Sequence, residues 1–465
     1  MNGDQSPLQA AGDQRDAQGR PRSLRPMFDS PADGRCLLHS GPVIIANENG
    51  SVTLPGVVAF DGAPRYKLQA EVAARFADVS SIVGSFDSVA ATFPDDTMPS
   101  AELHELPDLD PDDGSVWTES VWLNRFVVGS AHRVHSLVIH LVGSIRIIQP
   151  PIEVDDGSFQ VQVAFSLPGW ELTLALLDSG IATDQMVVRA TSTGGAPDEG
   201  SIDVLLRRLF LILSFVAGTE IGSAIVCGLD ADEQLVWLHA AVPRTRPTQP
   251  GAYWCPPSAS AGAIRQLSRF FDSTESTQDR AWERIVGRGI EYELAASASN
   301  EVLDVRVPVA LAGLELVAWA VDQRESQKAV ELADATEEAA ASAGTRIERL
   351  LRWASVDVAI PESCAALGAR ANRLTGQGEW NGPRIVANVR NKLVHAPSRL
   401  EVPEWPSSEE LVETWHLATG YLELALLRVL GYEGTYLPRR FPRWVYDDIA
   451  VPWTNSASRM DTELR

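Results

Sequence analysis

Between about residues 42 and 240, apolar positions mostly recur at every second place, the spacing of strands with one buried face. Val43-Ile44-Ile45 and Val52-Thr53-Leu54 flank Asn49-Gly50, which predicts a β-hairpin. Phe159, Val161, Val163 and Phe165 alternate with Gln160, Gln162 and Ala164, so the first four are expected on one buried face. Residues 137–148 and 171–177 read the same way. A helix breaks the pattern at 201–217, where Ser201 can cap, Asp203 sits in the first turn and Gly218 can end it. Residues 94–114 are dense in Asp, Glu and Pro and are expected as an acidic loop.

After a Pro- and Gly-rich stretch at 243–257 the spacing turns helical. Helices are predicted over 263–271, 309–321, 325–341, 345–354, 385–395 and 411–430. The last has the clearest signals: Ser407 and Glu410 as a capping box, and an apolar stripe of Leu411, Trp415, Ala418, Leu422, Leu426 and Val429. Its outer face is expected to carry Glu413, Glu423 and Arg428, and Gly431 stops it. The predicted fold class is α+β multidomain. A disordered tail at 1–28 leads to a β-rich N-terminal domain at 29–245, a linker at 246–260, an all-α helical bundle at 261–446 and a C-terminal tail at 447–465.

With 465 residues, 45% of them hydrophobic, the chain is long enough to bury more than one core. Its 62 acidic and 39 basic residues give a net charge of -23, which argues against a broad basic surface for nucleic acid or anionic membrane. Any nucleic-acid contact must be local. Only Lys67, Lys328 and Lys392 are lysines, so the positive charge is nearly all arginine, a side chain suited to bidentate phosphate or carboxylate binding. Residues 341–400 reverse the overall balance, with nine basic against four acidic residues, and form a candidate RNA-facing patch or a solvated face with local ion pairs.

Cys36, Cys227, Cys255 and Cys364 lack C-x-x-C spacing, which offers neither a zinc site nor a disulfide framework and suggests a reducing cytoplasm. The opening residues lack the apolar core of a signal peptide, and Arg207 and Arg208 interrupt the most apolar run, so no membrane association is expected. His132, His135 and His140 crowd together, but on an extended strand they do not share one face, so no metal is expected there. Phosphate-cradling, dinucleotide and nucleophile-elbow motifs are absent, and no cofactor is expected.

The segment from Ile385 to Pro397 places Arg390, Asn391, Lys392 and His395 at a helix end. Pro397 disfavours helical geometry at Ala396, so His395 is expected in the last turn, a position that suits a proton donor near neutral pH. Asn391 lies one turn behind His395, whereas Arg390 is five residues back, about 140° around an ideal helix. Either the arginine reaches round or the last turn distorts.

Arg390, Asn391 and His395 match the Arg, polar residue, four-to-six spacing and His of the HEPN superfamily of helical bundles. The neighbourhood resembles its Apea-like branch: Arg349-Leu350-Leu351-Arg352-Trp353, Trp380-Asn381-Gly382-Pro383, Leu424 to Tyr432, and Gly434-Thr435-Tyr436. The resemblance covers about residues 305–440, with a weaker likeness in the β-rich half to the N-terminal domain of prophage-defence proteins. It implies a metal-independent endoribonuclease working as a homodimer in antiphage defence or toxin-like growth arrest. The N-terminal domain would be a sensor or recognition domain, restraining the nuclease until a phage-derived trigger arrives.

The ribose 2'-hydroxyl is a built-in nucleophile, so such a site needs only proton transfer and stabilisation of charge on phosphorus. The resemblance assigns proton transfer to His395, phosphate binding to Arg390 and orientation of substrate or histidine to Asn391. It also places an acidic residue on an early helix facing the motif. Glu315, inside an apolar helix, needs a partner, and it either holds Arg390 or polarises His395, or forms a structural ion pair with an arginine such as Arg349. Lys392, Arg384, Tyr436 and Arg439 are candidate RNA contacts, with Tyr432, Arg440 and Arg443 beside them. The rival reading is a non-catalytic HEPN module for dimerisation or nucleotide binding.

Overall fold

A computed structural model of the chain describes residues 21–28, 35–47, 50–61, 67–74, 88–91, 101–103, 117–177, 185–243, 253–273, 277–298, 301–330, 342–374, 379–395, 405–439 and 448–454. The fold is mixed: a β-rich N-terminal part and a helical C-terminal region. It divides into two compact units, one of residues 1–144, 150–207 and 221–245, the other of 145–149, 208–220 and 246–465.

In the first unit the strands are β1 (Arg35–Asn47), β2 (Gly50–Asp61), β3 (Lys67–Ala74), β4 (Ser88–Ala91), β5 (Ala101–Leu103), β6 (Trp117–Gly129) and β7 (Ser136–Val142). They continue with β8 (Ile152–Glu153), β9 (Phe159–Leu167), β10 (Trp170–Leu177), β11 (Gln185–Ser192), β12 (Gly222–Leu229) and β13 (Leu235–Ala241). One antiparallel sheet holds all of them in the order β3-β2-β1-β4-β5-β6-β13-β12-β7-β11-β10-β9-β8. A further β3–β6 pairing closes the first six into a ring. The length of β6 permits this. Its first half pairs with β3, and its second half with β5 and β13.

The expected hairpin is β1–β2, with Asn47 opposite Gly50. In β9 the alternation holds for Val163, Phe165 and Leu167, which are buried, but Phe159 is exposed where the short edge strand β8 covers the sheet thinly. Within the expected acidic loop at 94–114, Ala101–Leu103 is strand β5, and the rest lies outside the described residues. Residues 143–149 do not continue β7, although Ile145 and Ile147 are buried.

Helix α1 (Glu199–Ala217) follows β11. Its cap is Asp198 rather than Ser201: the Asp198 carboxylate accepts from the Ser201 amide at 2.7 Å. Gly218, at φ 67, ends it. Residues 208–220, inside the expected N-terminal domain at 29–245, belong to the helical unit. There Arg208 pairs with Glu283 at 2.8 Å, and Trp254 donates to the Phe215 carbonyl at 2.7 Å. The expected linker is thus partly core, since Trp254 and Cys255 are buried.

The helical unit contains α2 (Ser260–Ser268), α3 (Thr277–Ser297), α4 (Leu303–Val330), α5 (Ala343–Trp353), α6 (Ala365–Arg373), α7 (Gly382–Val394) and α8 (Ser408–Val429). The helices predicted at 309–321 and 325–341 are one helix as far as Val330, because nothing between them breaks it; residues 331–341 lie outside the described set. The α8 capping box is present. Its expected outer face is not fully outer: Glu423 is buried, because α8 is packed by α3, α4, α6 and α7.

Both expected tails are partly folded. Leu24 is buried, and the amide of Ser23 donates to Asp155 at 2.7 Å. Near the other end, β14 (Thr435–Tyr436) pairs with β15 (Ile449–Ala450), and the Trp453 indole donates to the Tyr432 carbonyl at 2.7 Å. No described helix is long and apolar enough to cross a membrane.

Candidate functional site

The helix that carries Arg390 starts where Trp380-Asn381-Gly382-Pro383 sets it. Asn381 caps α7 by accepting from the Arg384 amide at 3.1 Å, and Pro383 occupies the first turn, where no amide donor is needed. Gly382 donates to the Val358 carbonyl at 2.8 Å, and the Trp380 indole donates to that of Leu374 at 3.1 Å. Ile385, Val386 and Val389 bury the inner face.

A buried polar chain fixes the middle of α7. Arg370 donates to the Asn388 side chain at 3.1 Å and to Glu410 at 3.0 Å. Glu410 also receives Arg373 at 2.6 Å and the Ser407 amide at 3.0 Å. Glu410 of the α8 capping box therefore also anchors Arg370, the residue that ties α6 to α7.

At the other end, α7 stops at Val394. His395 is its C-cap, with extended backbone at φ -111 and ψ 127, rather than a member of the last turn. Its amide still donates to the Asn391 carbonyl at 3.1 Å, and the residue is exposed.

Arg390 donates to Glu315 on α4 at 2.6 Å and to the Asn391 side chain at 3.1 Å. These bonds use two of the five guanidinium N–H groups among the described residues. The Arg390 side chain is 21% exposed, so ligand access remains while its position is held. Glu315 thus holds Arg390, and Arg349 pairs instead with Asp322 at 2.8 Å. Asn391 links the pair, its carbonyl holding the His395 amide and its side chain holding Arg390.

The candidate RNA contacts divide. Lys392 is exposed on α7. Arg384 is 37% exposed but pairs with Glu348 at 3.1 Å and donates to the Glu379 carbonyl at 3.0 Å. Tyr436 is buried and offers no face for a base; Tyr432 is buried too, and its hydroxyl donates to the Thr435 carbonyl at 2.8 Å. Arg440 and Arg443 lie outside the described residues. The basic excess at 341–400 is largely compensated by carboxylates elsewhere in the chain, since Arg349, Arg370, Arg373 and Arg390 meet Asp322, Glu410 and Glu315.

Arg439 does not face solvent. Its side chain is 3% exposed and meets Glu293 at 3.0 Å and Glu423 at 2.7 Å, with Ser297 Oγ at 2.8 Å. Two carboxylates face one guanidinium here, and burial, followed by repulsion from Glu423, pushes Glu293 up to about 8. A raised pKa means that folded Glu293 keeps a proton that the unfolded chain releases above about 4.5. The stabilisation is complete below that pH and is lost as pH rises through about 8. Glu293→Gln is expected to remove a downward slope in stability of up to about 1.4 kcal/mol per pH unit across this window. Denaturant unfolding of both proteins from pH 5 to 9 checks it; parallel curves would contradict it.

His132 lies in a short 3-10 turn and His140 on β7, so the strand assumed to carry both is interrupted. Burial lowers His140 to about 4. Among the described residues no group of three ligand-type side chains could hold a metal.

Residues 279–449, which include Glu315, Arg390 and His395, match the YopA C-terminal domain family. The chain is similar to the SPbeta prophage-derived uncharacterized protein YopA of Bacillus subtilis (strain 168), with 26% identity over 265 residues. That match covers 55% of this chain and 54% of the relative, so the chain spans about half of that protein's length. No solved structure matches significantly.

Proposed function

We propose that the chain is a metal-independent endoribonuclease with a HEPN-type helical bundle, cleaving RNA through its 2'-hydroxyl. The observation that carries this reading is the end of α7: Arg390 is held by Glu315 and Asn391, and His395 stands exposed on the cap that follows. The Arg390 guanidinium would bind the scissile phosphate and stabilise its added negative charge. His395 would take the proton from the 2'-hydroxyl or deliver one to the leaving 5'-oxygen, giving a 2',3'-cyclic phosphate and a 5'-hydroxyl. Glu315 and Asn391 would position the arginine, with Lys392 and Arg384 at the rim for RNA.

The protein would act in the cytoplasm as a homodimer, restrained by its β-rich unit until a phage-derived trigger binds there. Similarity to a prophage-derived protein supports a place in phage conflict, and the net negative charge supports a resting molecule that repels bulk RNA.

Incubation of the full chain with total RNA, beside His395→Ala and Arg390→Ala, tests the reading. Each variant is expected to lose about 100-fold or more in cleavage rate. Chelation with EDTA should leave the wild-type rate unchanged, and product ends should be cyclic phosphates. Equal cleavage by all three proteins overturns the proposal. One observation favours the second reading, a non-catalytic dimerisation or nucleotide-binding module: Arg390 is already engaged by Glu315 at 2.6 Å, as in a structural ion pair. On that reading Arg390→Ala changes stability or dimerisation while no preparation cleaves RNA.

A further inference from the structure

Within the β-rich unit, the segment from Arg22 to Met27 lines an open cleft of about 420 Å³ together with Val138 of β7, Val187 of β11 and Leu229 of β12. It is held much as a bound peptide would be. The Ser23 amide donates to Asp155 at 2.7 Å and the Leu24 amide to the Gln160 side chain at 3.1 Å. Gln160 and Gln162 return bonds to the carbonyls of Leu24 and Arg22, both at 3.0 Å. Arg22 pairs with Glu233 at 2.9 Å and Arg25 with Asp156 at 2.7 Å, while Leu24 is buried. At the far end, the Met27 amide donates to His140 Nε2 at 3.3 Å, which requires the neutral imidazole.

Three features separate this arrangement from an ordinary sheet strand. Side chains, Asp155 of the β8–β9 turn and Gln160 of β9, satisfy the amides of Ser23 and Leu24, while a backbone bond from the Asp155 amide to the Pro21 carbonyl at 2.9 Å starts the segment. The charges are complementary: Arg25 on the segment meets Asp156 on the groove, and Arg22 shares Glu233 with the groove's own Arg189. The ion pairs are substantially exposed, so each contributes little, and Leu24 is the one fully buried side chain of the segment. Such an occupant is specific in pattern but exchangeable.

We infer that this groove is a recognition site for an extended basic peptide of a partner protein, with two arginines three residues apart around a buried leucine, and that Arg22–Arg25 is its internal stand-in. The tethered occupant acts at a high effective concentration, so an added peptide competes poorly until the tethered copy is displaced. Opening the groove would then be the event that a partner drives.

The test uses the full chain and a fluorescein-labelled peptide with the sequence of residues 21–28. In a triple variant, Arg22→Asp, Leu24→Asp and Arg25→Asp, the groove is vacated, and the probe should bind roughly 10-fold or more tighter than to wild type. Adding Asp156→Lys and Glu233→Lys should abolish that binding, and raised salt should weaken it. Probe affinity no higher in the triple variant than in wild type overturns the proposal if circular dichroism shows both folded. If the triple variant fails to fold, amide exchange of the wild type decides. Ser23 and Leu24 are expected to exchange much faster than β9 and β10; exchange only together with those strands overturns it.

Discussion

Arg439→Ala is expected to destabilise the helical unit by about 3–5 kcal/mol, the usual cost of removing one partner from a buried ion pair. The guanidinium, 3% exposed, stands between Glu293 of α3 and Glu423 of α8. Without it the Glu423 carboxylate and Glu293, which already keeps its proton below about 8, face each other away from water, with Glu293 Oε2 lacking a hydrogen-bond partner among the described residues. The chain can relieve the charge left on Glu423 only by protonating it as well or admitting water, and both weaken the packing of α3 on α8. Adding Glu423→Gln to Arg439→Ala should therefore recover part of the loss. The measurement is amide exchange of peptides from α3 and α8 in the full chain, where opening free energies should drop together. If Arg439 were an RNA contact instead, Arg439→Ala would leave exchange unchanged and lower RNA affinity alone.

The misplacement of Arg439 and Glu423 has one origin. A helical wheel assigns faces on the assumption that one side meets water, but α8 has helices around it, and an inward glutamate looks the same in sequence as an outward one. Its partner lies 16 residues on, in a non-helical stretch that no periodicity ties to α8. The same limit applies to the basic excess at 341–400: the compensating Glu315, Asp322 and Glu410 lie outside that window, so a local count overstates the free charge. Helix α3 is weakly signalled in the sequence because Gly287 and Gly289 lower its propensity, although Val286, Ile290 and Leu294 supply a buried stripe.

Signals carried by contiguous residues were legible. The Ser407–Glu410 capping box, the β1–β2 hairpin, the buried Val163 and Phe165 and the Gly218 stop all depend on neighbours in sequence. For the candidate site, the need of Glu315 for a cation was readable from its apolar setting, whereas the choice between Arg390 and Arg349 required the packing of α4 against both α5 and α7. The placement of His395 beyond the last turn turned on a single residue, the scale at which helix ends are least predictable.

Gly382→Ala is expected to cost about 1–3 kcal/mol, the range for overpacking a well-filled core, and to blunt whatever α7 does at its other end. A Cβ at this position would lie 2.1 Å from the Tyr421 hydroxyl oxygen and 3.1 Å from its ring carbon, and the Tyr421 side chain is too buried to swing aside. The hydroxyl has no hydrogen-bond partner among the described residues, and burial raises its pKa, so it contributes little beyond filling the space beside the glycine. Tyr421→Phe alone should accordingly be neutral or mildly stabilising, and it should rescue most of the Gly382→Ala loss, an interaction of about 1–2 kcal/mol in a double-mutant cycle. Because Gly382 begins the helix that ends at Arg390 and His395, the proposed ribonuclease activity implies that the rescue extends to RNA cleavage: the single glycine variant falls in rate, and the double variant returns toward wild type. Recovery of stability without recovery of rate would mean that the start of α7 does not govern the alignment of its end.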